Sequence, residues 1–171
     1  MSKGIRSAVG PLMSFASWST FVRALGLIDD DVSDREADLC FVCARMSVAD
    51  PYSQRGVLMS GGLPFEGFLE ALVRLAAIKG LPHDEEIAEN GFKDAGEMVA
   101  WLRGNDLPAL QQMLGNSAAW GEEPLQPIWR CVDHLICILI RGIEAKTAGA
   151  NDLNLTKREM LAWWAAAETE R

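Results

Sequence analysis

Residues Leu63 to Lys79 read LPFEGFLEALVRLAAIK and carry the most complete helix signal in the chain. Phe65, Phe68, Leu69, Leu72, Val73, Leu75, Ala76 and Ile78 recur at steps of three and four. That repeat gathers side chains on one face of an α-helix. Pro64 suits a first helical position, where a missing N–H costs nothing. Gly80-Leu81-Pro82 supplies the stop, glycine first and proline beyond it. In front lies Gly56 to Leu63 (GVLMSGGL), which has the outline of a calcium-loop exit without its ligands.

Working towards the N-terminus, a loop of Ser and Gly character (Tyr52 to Gly62) follows a break at Asp50-Pro51. A second helix is expected from Asp34 to about Ala49. Ser33 stands as its N-cap, with Glu36 three residues on as the capping-box partner. Apolar residues nearly encircle this helix, which places it centrally. Ser14 to Leu25 (SFASWSTFVRAL) reads as the first helix, with Phe15, Trp18, Phe21, Val22 and Leu25 on one stripe and Gly26 at its end.

Towards the C-terminus, Leu81 to Asn90 reads as an acidic turn. Glu97 to Leu102 and Pro108 to Leu114 read as two short helices separated by Gly104-Asn105-Asp106, and Gly115 to Pro127 as a connector. Ile128 to Lys146 (IWRCVDHLICILIRGIEAK) is a long helix, apolar on nearly every side in its middle and so the expected core of the second half. Thr156 and Glu159 repeat the capping-box pattern ahead of a last helix that carries Trp163 and Trp164. No segment alternates as a strand does. The expected fold is all-α, built of EF-hand-like helix-loop-helix units: residues 12–80, a stretch of short helices and connector at 81–127, and a second unit at 128–171.

Composition narrows the function classes. A net charge of -8 opposes nucleic-acid binding, which needs a basic footprint. The apolar run Leu135 to Ile140 is six residues, and no uninterrupted apolar run in the chain is long enough to cross a bilayer. Residues Met1 to Gly10 hold two basic residues with no signal-peptide core after them. A soluble, cytoplasmic protein is expected. Cys40 and Cys43 form a C-x-x-C, but in mid-helix among apolar neighbours. Buried thiols are therefore expected for them and for Cys131 and Cys137. His83 and His134 are isolated, and no nucleophile, nucleotide or zinc-protease motif is present, so no enzyme activity is expected.

An apolar residue just ahead of a helix start recurs at Val32-Ser33, Leu63-Pro64 and Leu155-Thr156, the skeleton of an EF-hand. A working loop spreads oxygen ligands over twelve residues, with a glycine at the turn and a closing glutamate. Ahead of the central helix the ligand places fall on Gly56, Leu58, Ser60 and Gly67. The first loop keeps Asp29 and Glu36; the last keeps Asp152, Asn154 and Glu159. These five are the calcium candidates, and the expectation is that metal binding has been lost, a low-affinity calcium sensor being the alternative. EF-hand pairs without calcium keep an interhelical groove that accepts an amphipathic partner. Trp18, Trp101, Trp120, Trp129, Trp163 and Trp164 are its natural anchors, with Trp18, Trp163 and Trp164 foremost.

The first half resembles the tubulin polymerization-promoting protein family and related EF-hand-like segments of ciliary and flagellar proteins in protists and algae. The likeness covers residues 14–77. Its marks are the aromatic first helix, the Gly26-Leu27 exit, Ser33 before Asp38-Leu39-Cys40-Phe41, and the Leu-x-Phe-x-x-Phe pattern opening the third helix at Leu63. The resemblance implies a non-enzymatic interaction module with a protein partner such as tubulin or another axonemal protein. It also implies a location at the cytoskeleton, cilium or flagellum.

Overall fold

Local capping chemistry sets where the helices begin. Ser14 Oγ accepts the amide hydrogen of Ser17 at 3.1 Å and opens α1, Phe15–Ala24. Gly26 follows at φ 63°, in the left-handed region that glycine enters without a Cβ clash. Leu27 N–H then bonds Val22 C=O at 2.9 Å and Gly26 N–H bonds Arg23 C=O at 3.1 Å, closing the helix as a Schellman turn. α2, Asp34–Val48, starts on the expected capping box. The carboxylate of Glu36 accepts from Ser33 N–H at 2.9 Å and from its hydroxyl at 2.6 Å. Those bonds, the hydroxyl's first, hold the Glu36 carboxyl below its ordinary pKa.

The protein is represented by a computed structural model, which describes residues 12–48, 52–53 and 61–147. Beyond α1 and α2, the described residues form α3 (Phe65–Ile78), α4 (Asp84–Glu89), α5 (Ala95–Asn105), α6 (Leu107–Leu114) and α7 (Ile128–Lys146). Among them no strand occurs, and no helix is long and apolar enough to cross a membrane. The fold is all-α, as the periodicity predicts.

Several boundaries differ from expectation for local reasons. Pro64 stands one place earlier than a first helical residue: it is the extended N-cap of α3, with φ -68° and ψ 174°. The acidic stretch after Pro82 is not wholly a turn, because Glu86 accepts the His83 N–H at 2.7 Å and supports the short α4. Gly104 and Asn105 lie inside α5. Asp106 alone separates α5 from α6, and its carboxylate accepts the Ala109 N–H at 3.0 Å.

The chain divides into two compact units. Residues up to Gly80 join Leu114–Val132, while Leu81–Met113 joins the chain from Asp133 onward. In the first unit α2 packs against both α1 and α3. Its centre is aromatic. Trp18, fully buried, meets Phe21, Phe41 and Phe68 at centroid distances of 6.1, 6.5 and 6.3 Å. Phe21 meets Phe68 edge-on at 5.5 Å, an arrangement the ring quadrupole favours. Leu63 exchanges two 2.8 Å backbone bonds with Met13, joining the chain ahead of α1 to that ahead of α3. Val32, the other apolar residue ahead of a cap, is buried.

Among the described residues of the second unit, the buried apolar set is Leu81, Ile87 of α4, Ala95, Met98, Val99 and Leu102 of α5, Leu110 and Met113 of α6, and Leu135, Ile138, Leu139 and Ile143 of α7. Gly96 permits the closest approach: a Cβ there would collide with the Cys137 carbonyl oxygen and come within 2.7 Å of Arg141 Cγ.

Candidate functional site

Asp29, one of the calcium candidates, lies in the acidic loop Asp29-Asp30-Asp31, and the structure puts an internal cation beside that loop. Lys79, at the C-cap of α3, has a side chain only 2% exposed. Its ammonium donates to both carboxylate oxygens of Asp31, at 2.9 and 3.0 Å. The Asp31 side chain is 0% exposed, and its Oδ2 also accepts the Gly80 N–H at 2.8 Å. Asp29 lies farther from the ammonium, at 3.8 Å. A buried carboxylate is tolerable only when paired and hydrogen-bonded, and both conditions hold here. The loop therefore locks the end of α3 to the exit of α1.

The expected calcium ligands are not brought to a common point. Asp29 faces Lys79, whereas Glu36 is engaged by Ser33 in the capping box. Among the described residues, no group of three His, Cys, Asp or Glu side chains could hold a metal ion. Asp152, Asn154 and Glu159 lie outside the described residues.

The other ionisable groups serve helix ends and interhelical pairing. Asp94 caps α5 by accepting the Glu97 N–H at 2.8 Å. On α7, buried His134 has Nε2 3.6 Å from Asp84 Oδ1, on the first turn of α4. Arg141 lies 3.6 Å from Asp94 and 3.7 Å from buried Glu144. Asp94, at the N-cap of α5, is favoured both by the helix dipole and by the neighbouring Arg141 guanidinium. Asp133, the sequence neighbour of His134, is exposed instead.

The cysteines form no disulfide. Cys40 is fully buried in α2, and desolvation pushes its thiol up to about 12; burial also raises Cys131. Since the thiolate is the nucleophile, Cys40 should be inert. Iodoacetamide at neutral pH is expected to leave Cys40 unlabelled in the native protein and to label it in urea, read by peptide mass spectrometry. Labelling at equal rates in both states would contradict this assignment.

The foremost anchor expected from sequence is corrected by burial. Trp18 is 0% exposed and its indole N–H donates to Ala37 C=O at 2.9 Å, so it is a core residue with no face to offer. Trp163 and Trp164 lie outside the described residues. Exposure falls elsewhere. Leu125 at 60% and Trp129 at 67% are open to solvent, and Ile128 and Trp120 are also exposed. Ile128 and Trp129 occupy the first turn of α7, and half-buried Val132 lies one turn on, on the same helix face. Arg130 sets its guanidinium 5.8 Å from the centre of the Trp129 ring. α7 is thus exposed at its first turn, while Leu135, Ile138, Leu139 and Ile143 farther along it are buried, as expected for the core of the second half. Comparison with protein-family models, curated proteins and solved structures finds no match to this chain.

Proposed function

We propose that the chain is a non-enzymatic, helical protein-interaction module and that Leu125, Ile128 and Trp129 are its contact face. The observation that carries this is Trp129, 67% exposed at the start of a helix and flanked by two other exposed aliphatic side chains. Exposed apolar residues scattered singly need no explanation, but a tryptophan grouped with Leu and Ile in five consecutive positions is the composition of an interface anchor.

The likeness to the tubulin polymerization-promoting family makes a cytoskeletal or axonemal protein the first partner to test. A photo-crosslinking residue at Leu125, in the chain expressed in its own cells, is expected to yield a discrete adduct. The same residue at exposed Gln111 is expected to give none. No adduct at position 125, or the same adduct from both positions, would overturn the proposal.

A further inference from the structure

Resting on the contact face just proposed, we infer that its occupant is an amphipathic helix whose apolar stripe is flanked by Lys or Arg. Helix surface selects helix. Ile128, Trp129 and Val132 lie on successive turns of α7, spaced to receive side chains at i, i+3 and i+4 of a partner.

Charge then selects the sign. From Leu114 to Trp129 the chain holds Glu122 and Glu123 and no Lys, Arg or His. Both acids, immediately ahead of the apolar group, are exposed. The nearest base, Arg130, already faces the Trp129 ring. Exposed acids next in sequence to an apolar group, one of which (Glu122) also accepts Ala119 N–H at 3.2 Å, complement a basic amphipathic segment, and such charge sets on-rate and discriminates partners. A second copy of this chain fits poorly, because each carries a net charge of -8.

The test uses the full chain and two labelled peptides of about 18 residues, long enough to cover roughly five helical turns. They share one Leu/Ile stripe and differ only in flanking Lys or Glu. Fluorescence anisotropy is expected to show the Lys peptide binding at least about tenfold more tightly than the Glu peptide, with the preference shrinking at high salt. Trp129→Ser is expected to weaken the Lys peptide by about tenfold or more, the scale of a central anchor. Equal binding of the two peptides would overturn the basic occupant while leaving the contact face intact. So would no binding of either, if the crosslink at Leu125 still forms. A concentration-dependent dimer abolished by Trp129→Ser would overturn it in favour of self-association.

Discussion

Replacing Lys79 by Met should lower stability by about 3–5 kcal/mol, the loss expected when one member of a buried ion pair is removed. The methionine would keep the packing of the aliphatic stem. It would leave the Asp31 carboxylate, whose side chain is 0% exposed, with Gly80 N–H as its remaining donor among the bonds described above. The damage is thus an uncompensated charge more than a lost contact. Changing Asp31→Asn in the same chain removes that charge and keeps an oxygen for Gly80 N–H, so the double variant should be more stable than Lys79→Met alone. A surface pair provides the contrast. Arg23 and Asp34 approach to 2.8 Å, but both side chains are more than half exposed, so Arg23→Met should cost no more than about 1 kcal/mol. Urea unfolding of the four proteins measures all three differences. A Lys79→Met midpoint equal to that of the parent would refute the buried pair's structural role.

Trp18→Ala should cost about 3–5 kcal/mol, the range for emptying a large aromatic from a packed core. Its ring touches Phe21, Phe41 and Phe68, which come from three helices, so the cavity would open at the point where α1, α2 and α3 meet. Trp18→Phe retains most of the apolar volume and removes the indole N–H bond to Ala37 C=O, a carbonyl that keeps its own helical bond inside α2. A loss of about 0.5–1.5 kcal/mol is expected for one net hydrogen bond. Calorimetric unfolding gives both values. If Trp18→Ala instead unfolded like the parent while partner binding was lost, the residue would be an anchor after all.

The contrast between Trp18 and Trp129 shows what the sequence holds and what it leaves open. Helical class was legible because α1, α2, α3 and α7 each repeat apolar residues at helical spacing over at least ten positions. The Ser33–Glu36 box also announced the start of α2 to the residue. α4 was not legible: six residues with one buried apolar side chain, Ile87, are too few to display a period. Which tryptophan faces water was not legible either. An amphipathic stripe says that one side is buried but cannot rank tryptophans on different helices, and Trp18 and Trp129 both lie in apolar runs. The pairing of Asp31 with Lys79 spans 48 positions and exists only once α3 returns to the exit of α1. Read alone, the loop offers Asp29 as a calcium candidate. Folded, its Asp31 holds an internal cation.

The molecule divides into an aromatic and ion-paired interior that maintains the fold and an exposed Leu125–Trp129 face, proposed as the contact surface. The most direct measurement is the urea midpoint of the parent and of Trp129→Ser, each with and without the Lys-flanked helical peptide. Without peptide the two should agree to within about 0.5 kcal/mol, as for a surface change away from packed features. With peptide at about 100 times its dissociation constant, the parent should gain about 2.7 kcal/mol by mass action and the variant distinctly less. A Trp129→Ser chain that unfolds well before the parent in plain buffer would contradict the division, because Trp129 would then belong to the interior.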